Sequence, residues 1–222
     1  LRSSSFCQRR NRIKRIFMKK PILLIAVTLL FSAMVFSQAR LNDTAPALSR
    51  TGCLPDGIMI TNQARIDSFQ IDYPGCTEIE KDLIISGNDI NNLEGLNVLT
   101  SIRGDLYIGY WSGGNPALTR LAGLENLTFI GGDLYIGYWG DGNPLLTNLA
   151  GLENLTSVGD DVCIIDNETL TSLTGLENLT SVAGSLTIAY NYQLTNLTGL
   201  NHITSVGKHL GIAGMDALTT LN

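Results

Sequence analysis

An apolar frame of seven positions recurs along this chain about every 24 residues. It reads Leu-x-Ile, then Leu-x-x-Leu-x-x-Leu-x-x-Leu, then Val or Ile followed by a small residue and usually an Asp. The clearest copy is Leu134, Ile136, Leu146, Leu149, Leu152, Leu155 and Val158. A fixed period of this length marks a stacked solenoid, because a unit that cannot bury its own apolar stripe is stable only against copies of itself. Such a chain also has few positions left for a unique catalytic constellation, so the expectation is a protein that is not an enzyme.

The alternating triplet recurs as Leu83-Ile84-Ile85, Leu106-Tyr107-Ile108, Leu134-Tyr135-Ile136, Val162-Cys163-Ile164, Leu186-Thr187-Ile188 and Leu210-Gly211-Ile212. Alternation of this kind predicts short strands. Successive triplets are 23, 28, 28, 24 and 24 residues apart, and both long steps carry their extra residues directly after the strand, at 110–114 and 138–142. Insertions confined to one corner leave a stack undisturbed. The Leu-x-x-Leu segments have a spacing that a helix would allow, but they are rich in Thr, Asn and Gly, which are weak helix formers. The prediction there is short strands joined by tight corners. Gly95, Gly123, Gly151, Gly175 and Gly199 share one corner, where a positive φ or a close backbone approach is expected. The fold class predicted is therefore all-β, a β-helix of about 24-residue rungs.

Stacking aligns equivalent polar residues about 4.8 Å apart. Asn126, Asn154 and Asn178 form one column, suited to an amide ladder. Asp82, Asp105, Asp133 and Asp161 form another, in which like charges repel. Calcium could relieve that repulsion, but the glycine-aspartate nonapeptide of calcium-binding rolls is absent, and the favoured reading has each Asp satisfying turn backbone and facing water. No cofactor or metal is expected.

The N-terminal region reads as a targeting segment. Met18, Lys19 and Lys20 precede an apolar run over residues 22–36, then Ser37, Gln38 and Ala39. That is the pattern of a secretory signal peptide, with an uncleaved anchor as the alternative; the run is short for a bilayer span. Residues 1–17 read as non-native upstream sequence, residues 18–39 as the signal, residues 40–73 as a leader or cap and residues 74–222 as the solenoid. Residues 1–39 hold eight of the 15 Lys and Arg and none of the 20 acids, leaving 7 basic and 20 acidic residues beyond them. A surface of that sign repels nucleic acid and anionic membrane. Export would allow Cys53 and Cys76 to form a disulfide at the N-terminal end of the stack, with Cys163 left over as a partly covered thiol.

The pattern Gly-Leu-Glu-Asn-Leu-Thr-Ser-Val, followed by a Gly-rich turn and Leu-x-Ile, resembles the receptor L-domain family, the leucine-rich β-helix modules of insulin and epidermal growth factor receptors. The opening at residues 76–85, where Cys76 precedes the first rung, is similar to the start of such domains. The resemblance implies a right-handed β-helix, and the Lys-Lys signal and near-identical repeats look like exported versions from Bacteroidota-type bacteria. No Cys-rich module, membrane span after the repeats or kinase signature accompanies it, so receptor activity is not implied. The chain ends at Leu221-Asn222, halfway through a rung, as a C-terminally truncated solenoid would. A leucine-rich-repeat horseshoe is the structural alternative.

The least repetitive chemistry is aromatic. Tyr107, Tyr110 and Trp111 recur one rung later as Tyr135, Tyr138 and Trp139. Outward-facing rings beside small residues suit a binding surface for protein or glycan; the competing reading has the inserts folding back to cover the solenoid edge. Both histidines, His202 and His209, lie near the last rung, and no nucleophile elbow, phosphate loop or zinc-protease motif occurs. The functional expectation is a secreted or surface-displayed module that binds a macromolecule through an exposed Tyr/Trp face. The alternative is a passive structural spacer.

Overall fold

The computed structural model describes residues 52–110, 114–138 and 142–220. These residues form a parallel β-solenoid of about six turns. Two seven-stranded sheets run along it, and each strand pairs with the equivalent strand of the next rung. The first sheet holds β1 (Gly52–Cys53), β3 (Glu78–Ile79), β5 (Ser101–Ile102), β7 (Phe129–Ile130), β9 (Ser157–Val158), β11 (Ser181–Val182) and β13 (Ser205–Val206). The second holds β2 (Ile58–Ile60), β4 (Leu83–Ile85), β6 (Leu106–Ile108), β8 (Leu134–Ile136), β10 (Val162–Ile165), β12 (Leu186–Ala189) and β14 (Leu210–Ala213). This arrangement replaces the horseshoe alternative, since two parallel sheets run along the stack and, among the described residues, the only α-helices are two short ones near the N-terminal end of the stack.

The alternating triplets lie in the second sheet in the register that the period dictates. Leu83, Leu106, Leu134, Val162, Leu186 and Leu210 form one paired row. The side chains of Leu83, Leu106, Leu134, Val162 and Leu186 point inward and make one continuous core with the Leu-x-x-Leu residues, whereas Leu210 is exposed. The seven frame positions of the rung at 134–158 are buried throughout.

The Leu-x-x-Leu segments differ from expectation: the corners are tight, but no strand joins them. Each is a chain of three-residue turns. The amide of Leu124 donates to the carbonyl of Leu121 at 3.1 Å, and that of Leu127 to Leu124 at 2.9 Å. The next rung repeats this from Leu152 to Leu149 and from Leu155 to Leu152. Bonds reaching back three residues at successive leucines, with Leu121 and Leu149 donating instead to Ala150 and Thr174 of the next rung, return the side chains to the same inner side, so a helical spacing arises without a helix. At the shared corner Gly123, Gly151, Gly175 and Gly199 have φ between 111° and 116°. A Cβ there would run into the carbonyl of Leu93, Leu121, Leu149 or Leu173 one rung back. Both reasons for glycine therefore hold at once.

The stack begins earlier than residue 74. β1 and β2 already belong to the two sheets, and helices α1 (Gln63–Asp67) and α2 (Phe69–Asp72) stand where later rungs carry their leucine turns. Asn62 caps α1 by accepting the Arg65 amide at 3.0 Å. Ile66 and Phe69 face the core. A disulfide joins Cys53 to Cys76, with their Cα atoms 5.6 Å apart, and ties the first rung to the second.

Candidate functional site

The outer face of the second sheet carries the aromatic residues. Tyr107 and Tyr135 occupy the middle positions of β6 and β8 and are direct partners in register. Their side chains leave the solenoid core, as the alternation requires, and enter a second apolar cluster on the outside of the sheet with Tyr110, Cys163, Ile165 and Ala189. The two rings stack at 5.1 Å with an interplanar angle of 17°. Tyr110, at the foot of the first insert, packs 4.5 Å from Tyr107 and 5.3 Å from Tyr135. Tyr138, at the foot of the second, lies 4.7 Å from Tyr110.

This packing corrects the expectation of an exposed face. Tyr107, Tyr110 and Tyr135 are only 4%, 6% and 2% exposed, and Tyr138 is partly covered. The feet of the inserts fold back over the strands, and the rings spend their faces on one another. Cys163, expected as partly covered, is fully buried in the same cluster. Trp111 and Trp139 lie outside the described residues.

The electrostatics follow from the same geometry. The Tyr107 hydroxyl donates to Asp105 Oδ2 at 2.7 Å. Burial, that hydrogen bond and the charges of Asp105 and Asp133 hold the Tyr107 phenol well above the ordinary tyrosine range. Tyr135 is also raised, by burial first and then by the charge of Asp133.

The aspartate column resolves the repulsion foreseen for it without water on every carboxylate. One oxygen each of Asp82, Asp105, Asp133 and Asp161 accepts the backbone amide one rung on, from Asp105, Asp133, Asp161 and Ser185, at 2.8–3.0 Å. Asp133 and Asp161 are buried. Asp133, Asp160 and Asp161 bring carboxylate oxygens within 4.8 Å of one another, a spacing that a cation could bridge. Lys208 already places its ammonium 2.7 Å from Asp160.

The amide ladder runs elsewhere than predicted. Asn126, Asn154 and Asn178 donate to backbone carbonyls of Asn97, Glu125 and Glu153, each at 2.7 Å, and stay exposed. The side-chain ladder is formed by Asn115, Asn143, Asn167 and Asn191, all fully buried. Asn115, Asn143 and Asn167 each donate to the next asparagine oxygen, at 3.0, 3.0 and 3.2 Å. Asn115, Asn143 and Asn167 also donate to the carbonyls of Ile85, Ile108 and Ile136 at 3.1 Å. The signal was present: an Asn recurs three positions before Leu118, Leu146, Leu170 and Leu194. In the two long rungs this Asn directly follows the insert in sequence.

No family model matches the chain, and no curated protein or solved structure matches it. Among the described residues no helix is long and apolar enough to cross a membrane.

Proposed function

We propose that this chain is an exported repeat module, secreted or held at the cell surface, that binds a protein or glycan at the aromatic corner of its second sheet and catalyses no reaction. The observation that carries this reading is a departure from the repeat: two neighbouring rungs hold extra residues at the same corner, and four tyrosines gather at its foot. A stack selected only for length has no need of that. In this reading Tyr107, Tyr110 and Tyr135 support the corner, and Tyr138, Trp111 and Trp139 are the contacting side chains. The kinship with receptor L domains, in an exported bacterial form, is part of the same proposal and rests on the Gly-Leu-Glu-Asn-Leu-Thr-Ser-Val pattern.

The second reading is a structural spacer with no ligand of its own, and the burial of Tyr107, Tyr110 and Tyr135 favours it. Intrinsic fluorescence separates the two, because Trp111 and Trp139 are the two tryptophans of the chain. Residues 40–222 are titrated with defined glycans, peptides and calcium. The binding reading expects a saturable change that disappears in Trp111→Ala/Trp139→Ala while circular dichroism stays unchanged. A binding isotherm that survives that double substitution, or flat titrations across the panel, would favour the spacer or a contact elsewhere on the chain.

A further inference from the structure

We propose that Asp133, Asp160, Asp161 and Ser185 hold one calcium ion between neighbouring rungs of the stack. This site does not rest on the binding reading above and stands or falls separately from it.

Register makes one rung unlike the others. The two residues before each strand of the second sheet read Lys81-Asp82, Gly104-Asp105, Gly132-Asp133, Asp160-Asp161, Gly184-Ser185 and Lys208-His209. A single acid per rung is the rule from Asp82 to Asp133, and Asp160 adds a second acid at one point of the stack. A Cβ on Gly184, in the following rung, would collide with Asp160 Oδ1 and Asp161 Oδ1. Both carboxylates therefore reach over that glycine toward the next rung. Asp133, Asp160 and Asp161 bring one oxygen each within 4.8 Å of the others, and Asp133 and Asp161 are buried. Lys208 reaches back to Asp160 Oδ1 at 2.7 Å, from a side chain that is half exposed. Three carboxylates against that one ammonium leave an excess of two negative charges, which a divalent cation balances.

An independent observation points to the same place. Ser185 is 2% exposed, and its hydroxyl has no hydrogen-bond partner. Buried hydroxyls are nearly always bonded, because an unmatched one keeps the full cost of leaving water. The Ser185 amide donates to Asp161 Oδ1 at 2.8 Å, and the residues that follow, Val162 and Leu186, are strand partners. Ser185 thus stands in register with Asp161, and its Cβ leaves the chain on the same side. Its oxygen continues the aspartate column beyond Asp161, while Asp133 flanks Asp161 from the rung before. Four oxygens without nitrogen or sulfur suit a hard cation. Calcium holds oxygen at about 2.3–2.6 Å, so two of its ligands can stand about 5 Å apart; magnesium draws them to within about 4 Å and gives up its water reluctantly. The spread of these carboxylates suits calcium, with water completing its shell.

The test uses the whole chain, freed of cations by dialysis against a chelator. Calorimetric titration with calcium chloride should show one site per chain, with Kd on the order of 10⁻⁴ M, and calcium should raise the urea midpoint. Asp160→Asn should weaken binding by about tenfold or more. Asp82→Asn, in the same column beside Lys81, should leave it unchanged. Lys208→Gln removes a competing ammonium and should tighten it. Ser185→Ala separates ligation from folding, because the lost hydroxyl bonds nothing in the protein. Without calcium its urea midpoint should match or exceed that of the native sequence, and the rise with calcium should shrink. A native chain with neither heat nor midpoint shift would overturn the site, as would binding that survives Asp160→Asn. Equal losses in Asp160→Asn and Asp82→Asn would overturn it by revealing diffuse attraction to an acidic surface. A Lys208→Gln chain that is destabilised and takes up no calcium would make Lys208 the resident counter-ion and have the same effect. Should Asp160→Asn fail to fold, Ser185→Ala still decides, since a calcium-linked rise as large as the native one would rule the site out.

Discussion

At the scale of single residues, the same residue type does different work according to which side of the wall it lies on. Asn154 and Asn167 both bridge rungs, but Asn154 is exposed and water can replace its bond. Asn167 is fully buried, accepts from Asn143 and donates to Asn191 and to two carbonyls. Deleting its amide strands donors and acceptors in a dry interior. We expect Asn154→Ala to lower stability by about 1 kcal/mol and Asn167→Ala by on the order of 3 kcal/mol. Urea unfolding of the two variants measures the difference, and equal losses would mean that the buried ladder contributes no more than a surface contact.

At the scale of the element, β6 and β8 carry a titratable pair whose proton affinity depends on folding. Both phenols are raised in the native state, so the folded chain holds those protons more tightly than the unfolded chain does. Unfolded tyrosines titrate near about pH 10. Stability linked to the pair is therefore complete below about pH 10 and drains away as pH climbs further, because the native state must either keep a proton that the unfolded chain has released or bury a phenolate beside Asp105 and Asp133. Urea midpoints at about pH 8 and about pH 11 should fall steeply for the native sequence and less for Tyr107→Phe/Tyr135→Phe. An unchanged alkaline loss in the double variant would place the sensitivity elsewhere.

For the whole molecule, the repeating register means that stability is shared between neighbouring rungs. Val162 pairs with Leu186 and Asp161 bonds the amide of Ser185, so removing residues 162–185 would join equivalent points of the stack. That deletion should still fold cooperatively, with a lower urea m-value in proportion to the surface lost. Removing only residues 162–173 should not fold, because half a rung sets inward leucines opposite strand positions. A half-rung deletion that unfolds like the full-rung deletion would show that register is not what specifies the stack.

By itself the sequence determined the rung length, the inward positions, the shared glycine corner and the place where extra residues are tolerated. These are local properties repeated in series, and each is written in the spacing of Leu, Ile, Val and Gly. It was less clear at the start of the stack, where α1 and α2 replace the leucine turns and only Ile58 and Ile60 keep the alternation. What the tertiary structure decided was the fate of groups that leave the frame. Alternation says that Tyr107 and Tyr135 point away from the core, but not what lies over them, and Tyr110 packs against both, with Tyr138 against Tyr110. An asparagine column says that amides align, but whether they face water or the core depends on the bend at which they sit. Burial is a property of what packs opposite a side chain, and its partner here comes from a neighbouring rung, tens of residues away in the chain.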